Sequence, residues 1–163
     1  MSETAATQVP PLAVNLQYVK DLSFEVPGAP GIFASLRSQP QVAINLDVQV
    51  KRIEDTPSIW EVTLAIRAEA TETPVPNGDD SAKPRNVFLA ELAYAGIFTL
   101  TNIAPENVEP VLLIECPRLL FPYARNILAD ITRESGFPPV LLQPIDFVAL
   151  WQARRAQQPE ANA

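Results

Sequence analysis

The stretch from Asn86 to Asn102 constrains this chain more than any other. Its core, NVFLAELAYAGIFTLTN, is the longest apolar run in the sequence. It alternates with a period of two rather than 3.6, which marks a strand and not a buried helix. One side reads Phe88, Ala90, Leu92, Tyr94, Gly96, Phe98 and Leu100, and the other reads Val87, Leu89, Glu91, Ala93, Ala95, Ile97 and Thr99. The first side is apolar throughout and must be covered. The second is half apolar with a carboxylate in its middle. Such a strand belongs in a sheet with one face on a core and the other only partly wetted.

Earlier segments supply its neighbours. From Ala13 to Val26 the residues Val14, Leu16, Tyr18, Leu22, Phe24 and Val26 fall on one face, with Lys20 the exception; the polar residues fall on the other, with Val19 the exception. Pro27 to Gly31 stops that strand, and a crossing segment with Ile32, Phe33 and Leu36 runs to Pro40. Val42, Ile44, Leu46, Val48 and Val50 then alternate cleanly, as do Trp60, Val62, Leu64, Ile66 and Ala68. The turn Glu54–Ser58 and a polar loop over 71–85, read as a mobile hairpin loop, join strands two, three and four into an antiparallel meander. After Asn102 the period becomes helical. Pro105 suits a first turn, Pro110 shortens or bends that piece, and Pro117 is expected to end it. Leu120, Tyr123, Ala124, Ile127, Leu128 and Ile131 form the stripe of a longer helix over about 119–135, with Gly136 as its left-handed cap. Three prolines forbid regular structure across 137–145, and Asp146 caps a final helix. The expectation is an α+β fold: one domain over 13–156, a disordered tail over 1–12 and a polar tail over 157–163.

Composition narrows the function. A chain of 163 residues with net charge -7 is a poor ligand for nucleic acid or an acidic membrane surface. No stretch reaches the roughly 18 apolar residues of a membrane span. The first fifteen residues hold no cation ahead of an apolar patch, so they do not read as a secretory signal. With Cys116 as the single cysteine, no internal disulfide forms, and a cytoplasmic protein is expected. There is no histidine, no phosphate loop among the five scattered glycines and no metal-ligand spacing. No catalytic residue, cofactor or metal is expected, and Cys116, beside Pro117, reads as structural.

Two patterns carry more. On the polar sides of the strands lie Asp21, Glu25, Asp47, Glu61, Glu69 and Glu91, opposed clearly only by Lys51 and Arg67. That is either an ordinary solvated face or a docking face for a basic partner, with Leu89 and Ile97 adding apolar contact area. The proline-locked loop with Val140, Leu141 and Leu142 either closes the core or stays loose enough to form a groove for extended apolar chains. A small-molecule carrier with a closed pocket between sheet and helices is the competing expectation.

At this point four ordered segments resemble one family. Leu120-Phe121-Pro122-Tyr123-Ala124-Arg125 is similar to the LFPYAR signature of the bacterial export chaperone SecB. Lys20–Pro27 followed by Ala29-Pro30, Phe88–Glu91 with Gly96–Phe98, and Phe137–Pro139 through Pro144–Phe147 agree in order over about residues 14–152. The resemblance implies a four-stranded antiparallel sheet with helices packed on one face, assembled as a homotetramer, a dimer of dimers. It implies an ATP-independent holdase that binds unfolded precursor proteins and hands them to the SecA motor. It implies SecA contacts at Asp21, Glu25, Leu89 and Glu91, all on the side that alternation makes acidic. Ala90, Leu92 and Tyr94 match positions that influence tetramer assembly. The client groove would involve Val42, Ile44, Leu46, Leu142, Phe147, Leu150 and Trp151. The tail QARRAQQPEANA departs from the acidic tail common in the family. A related holdase dedicated to one partner fits the same residues.

Overall fold

The computed structural model describes residues 9–73 and 83–158. Most of the expected N-terminal tail, the tip of the 71–85 loop and the last five residues lie outside them. Four strands, β1 (Leu12–Glu25), β2 (Gln41–Arg52), β3 (Ile59–Glu72) and β4 (Arg85–Leu100), form one antiparallel sheet in the order β1-β4-β3-β2. The expected meander of strands two to four is present, and β4 is central, as its all-apolar side requires. β1 starts at Leu12, opposite Leu100, and the carbonyl of Pro11 accepts from the Thr101 N–H, so the sheet reaches one residue further out than the pattern suggested.

Strand registry decides which side chains share a face. Ala90, Leu92, Tyr94 and Phe98 of β4 align with Ala68, Ile66, Leu64 and Trp60 of β3, and these with Ile44, Leu46, Val48 and Arg52 of β2. This inner face is covered by helices: Leu120, Ala124 and Leu128 are buried in one cluster with Val62, Leu64, Ile66, Leu92 and Phe98. Gly96 is required there, because an added Cβ would sit 2.6 Å from the Phe98 ring and 3.0 Å from Leu120.

β1 departs from simple alternation. The register shifts between Val14 and Leu16 and again between Val19 and Asp21. A β-bulge adds one residue and reverses every later side chain. Between the two shifts Val19 lies opposite Tyr94, on the inner side, while Leu16 and Tyr18 lie opposite Ile97 and Ala95, on the outer side. The two exceptions in the sequence pattern, Val19 and Lys20, sit at the second bulge. Val87 is also reassigned. It falls at a third shift, unmatched between Ala70–Phe88 and Thr71–Asn86, and is buried with Ile32, Phe88 and Phe137.

The helices follow as α1 (Gly31–Ser35), α2 (Pro105–Pro110), a π-helical turn (Val111–Glu115), α3 (Cys116–Glu134) and α4 (Phe147–Gln157). Pro117 does not end a helix. The wide π turn precedes it, with the Cys116 N–H bonded to the Val111 carbonyl, and that turn lets the chain pass two prolines without losing its direction. Gly136 has φ 88°, the left-handed cap expected of it. The Asp146 side chain accepts from the Ala149 N–H at 3.0 Å and starts α4.

Candidate functional site

Among the described residues, no helix covers the outer face of the sheet. Across it, registry sets residues in rows: Asp21–Ala93–Ala65–Asp47, then Ser23–Glu91–Arg67–Asn45, then Glu25–Leu89–Glu69–Ala43. Asp21, Glu25, Leu89 and Glu91 therefore occupy three consecutive rows of the neighbouring strands β1 and β4. Asp21 and Glu25 are exposed and Glu91 half-exposed. Ala65 and Ala93 leave a shallow depression of about 320 Å³, rimmed by Asp21, Asp47, Arg67 and Glu91. Alanine makes this floor: a larger side chain at either position would fill it.

The face is less bare of cations than the sequence suggested. Arg67 pairs with Glu91 at 2.7 Å and reaches Glu69 at 3.7 Å. Lys20, placed by the bulge, pairs with Glu61 at 2.5 Å. The Tyr18 hydroxyl donates to the same carboxylate. Tyr18 is on β1 and Glu61 on β3, so the side chain reaches across β4, where Ala95, the partner of Tyr18, is buried. Burial and then the Glu61 hydrogen bond push the Tyr18 hydroxyl to about 12, while Lys20 and then Tyr18 hold the Glu61 carboxyl below its usual range. The outer face thus has a strapped half around Glu61 and an open half. Among the described residues, Asp21, Glu25 and Asp47 of the open half form no ion pair.

Two further openings lie where the helix layer meets the β2 edge, the first apolar and the second mixed, with Asp47 of the outer face on the rim of the second. One groove of about 230 Å³ is lined by Gln39, Pro40, Val42, Phe88, Phe137 and the loop Pro138–Leu141. Phe88 and Phe137 belong to an aromatic cluster: their centroids are 5.0 Å apart, and behind them Phe24 lies 5.1 Å from Phe88 and Phe33 lies 5.3 Å from Phe137. A second depression, about 310 Å³, is lined by Asp47, Val48, Leu113, Leu150, Trp151 and Arg154. The Trp151 Nε1–H is buried and has no hydrogen-bond partner among the described residues. Arg154 donates to the Val48 carbonyl at 2.7 Å, tying α4 to the edge strand.

The seven expected groove residues divide accordingly. Val42 lines the first groove and Leu150 and Trp151 the second, with Ile44 and Leu46 on the inner side of β2 between them. Leu142 and Phe147 are instead core residues, 5% and 1% exposed. The extended proline loop aims successive side chains oppositely, so Leu141 is 57% exposed and Leu142 turns inward. The proline loop named from the sequence does line the first groove through Val140 and Leu141, whereas Gln39, Pro40, Phe88 and Phe137 are lining residues that the sequence reading missed. The phenylalanine opening the proline run was their only local signal. Ala90, Leu92 and Tyr94 are buried beneath α3, and the Tyr94 ring stacks on Tyr123 at 6.2 Å.

The LFPYAR segment anchors the loop. Arg125 donates from Nε to the Leu142 carbonyl at 2.9 Å, and the buried Thr132 hydroxyl accepts from the Val140 N–H at 3.0 Å. The Cys116 thiol is pushed up to about 12 by burial and then by Glu115, which suits a packing role. Among the described residues no cluster of metal-ligating side chains occurs and no helix is long and apolar enough to cross a membrane.

A four-stranded antiparallel sheet with helices packed on one face is a fold that this chain shares with a SecB-like chaperone. The SecB-like chaperone of Mycobacterium tuberculosis, solved in complex with a ChAD peptide from the HigA1 antitoxin, matches with a TM-score of 0.61 at 15% identity, covering 83% of this chain and 91% of that one. That likeness is one of fold; sequence supplies the family. The family model for preprotein translocase subunit SecB matches residues 5–158. The protein-export protein SecB of Granulibacter bethesdensis is 68% identical over 151 residues, 93% of this chain and 86% of that protein. Its counterpart from Acidiphilium cryptum is 63% identical over 161 residues, 96% of this chain and 95% of that protein. The chain belongs to the SecB family of protein-export chaperones.

Proposed function

We propose that the protein holds unfolded precursor chains by their apolar segments, without ATP or any catalytic step, and delivers them to the SecA motor in the cytoplasm. The observation that carries this reading is the separation of surfaces. The charged outer face holds Asp21, Glu25, Leu89 and Glu91 in adjacent rows, while an apolar groove and a mixed one open along the β2 edge and the helix side. A client segment that buries roughly 400 Å² of apolar surface gains about 10 kcal/mol gross, much of it offset by the ordering of client and loop. Such contacts tolerate many sequences. The open carboxylates would meet a cationic surface of the motor, with Leu89 as apolar contact.

In this reading the protein works as a homotetramer, a dimer of dimers. Ala90, Leu92 and Tyr94 influence assembly through α3, whose Leu119 and Tyr123 are exposed, at 41% and 53%. Both depressions open to solvent, which suits an extended chain better than an enclosed small ligand. The test mixes the protein with a reduced, slowly folding precursor and follows light scattering and complex mass, with and without SecA. Suppressed aggregation and a complex that grows on adding SecA are expected. Undiminished aggregation would favour the carrier reading.

A further inference from the structure

Glu72 closes β3, and its side chain is buried although no strand pattern calls for a charge there. Its Oε1 accepts from the backbone N–H groups of Arg37 at 2.7 Å and Ser38 at 2.9 Å, and from the Ser38 hydroxyl at 3.2 Å. Its Oε2 accepts from Arg85 Nε at 2.8 Å and Nη2 at 2.5 Å. The same guanidinium donates to the Ser35 hydroxyl at 2.9 Å and the Ser35 carbonyl at 2.8 Å. Closing the β3–β4 hairpin would explain the Glu72–Arg85 pair, because the two are cross-strand partners. It does not explain the five bonds that reach the crossover at Ser35–Ser38.

That crossover runs straight into Gln39 and Pro40, one wall of the aromatic groove. The facing wall, Pro138–Leu141, is held independently by Thr132 and Arg125. Without the crossover bonds, the first wall would hang between α1 and the start of β2, with Glu72 and the Ser38 and Arg37 amides left to water.

We propose that Glu72 and Arg85 form a clamp that fixes the Gln39–Pro40 wall and so sets the width of the aromatic groove and its affinity for aromatic client segments. The clamp is a pair of positioning residues; neither is among the residues that line the groove. The proposal rests on the reading that this groove takes client segments, and the experiment separates the two. Hydrogen exchange of the Arg37 and Ser38 amides reads the clamp directly, with no client present. Titration with a fluorescent, permanently unfolded peptide rich in phenylalanine reads the groove.

Glu72→Ala is expected to raise exchange at both amides and to weaken the peptide by about tenfold, a change of ~1.4 kcal/mol. Glu72→Gln, which keeps the Oε1 acceptor but not the charge, should fall between Glu72→Ala and the wild type, and Arg85→Lys serves if Glu72→Ala does not fold. Val62→Ala, a core truncation away from the groove, controls for general loss of stability and should leave peptide affinity unchanged. Faster exchange with unchanged affinity would overturn the proposal, as would unchanged exchange or an equal loss in Val62→Ala. A wild-type protein that does not bind the peptide while its amides remain protected would overturn the client reading instead, and the affinity part of the proposal with it.

Discussion

Successive residues of β4 live in opposite worlds. Ala90 and Leu92 are 0% and 2% exposed beneath α3, while the Glu91 side chain between them is 44% exposed and paired with Arg67. Phe98 is fully buried and its neighbour Ile97 faces outward, opposite Leu16 and Glu61. A pleat separates these environments by one peptide unit. Changes on the inner side therefore act on packing and stability, and changes on the outer side act on charge and, in the proposed function, on recognition, with little cross-talk where no partner is shared.

The largest effects should lie inside. Phe98→Ala is expected to cost about 3–5 kcal/mol, and Ile97→Ala less than about 1.5 kcal/mol because that side chain is only partly covered; urea denaturation compares them, and equal losses would break the contrast between faces. Gly96→Ala should cost about 1–3 kcal/mol by overpacking, since its Cβ would meet the Phe98 ring and Leu120.

Acid should weaken the groove's clamp next. The Glu72 carboxyl is held down to about 2, from an ordinary 4.5, by Arg85 first and then by the Arg37 and Ser38 backbone N–H groups. A depressed pKa contributes stability that is complete above about 4.5 and fades as pH falls toward 2. Melting curves across that window should show wild type losing its advantage over Glu72→Gln, and curves that run parallel would remove the pair from the account. The smallest effect belongs to the outer face. Glu91→Gln breaks an exposed ion pair and should change stability by less than about 1 kcal/mol, which the same urea titration checks.

The contrast also explains what the sequence disclosed. Alternation separated the faces of β2 and β3 because their pairing runs without a shift from Gln41–Thr71 to Arg52–Trp60, and it placed Asp21 and Glu25 with Glu91 because the two shifts in β1 cancel beyond Asp21. It failed in β1, where two bulges reverse Leu16, Tyr18 and Val19. A bulge leaves no compositional mark beyond a pair of misfit residues, and Val19 and Lys20 were that pair. Pro117 misled for a related reason: the rule for proline assumes an α-helix, and the π turn before it changes the geometry the ring must fit. The aromatic groove was hidden more deeply. Phe24, Phe33, Phe88 and Phe137 are dispersed over the chain, and only tertiary packing brings their rings together. The roles of Arg125 and Glu72 were equally invisible, since each bonds backbone groups, which carry no sequence signature. In the proline loop, periodicity could not tell Leu141 from Leu142.

The most direct test of the division between faces is a paired binding measurement on one variant, Asp21→Lys combined with Glu91→Lys. SecA affinity and affinity for a permanently unfolded apolar peptide would be titrated in parallel at low and high salt. The account predicts at least a tenfold loss for SecA, about 1.4 kcal/mol or more, a steeper salt dependence for the wild-type SecA contact than for the peptide, and unchanged peptide affinity. Equal losses of both ligands, or equal salt slopes, would contradict it.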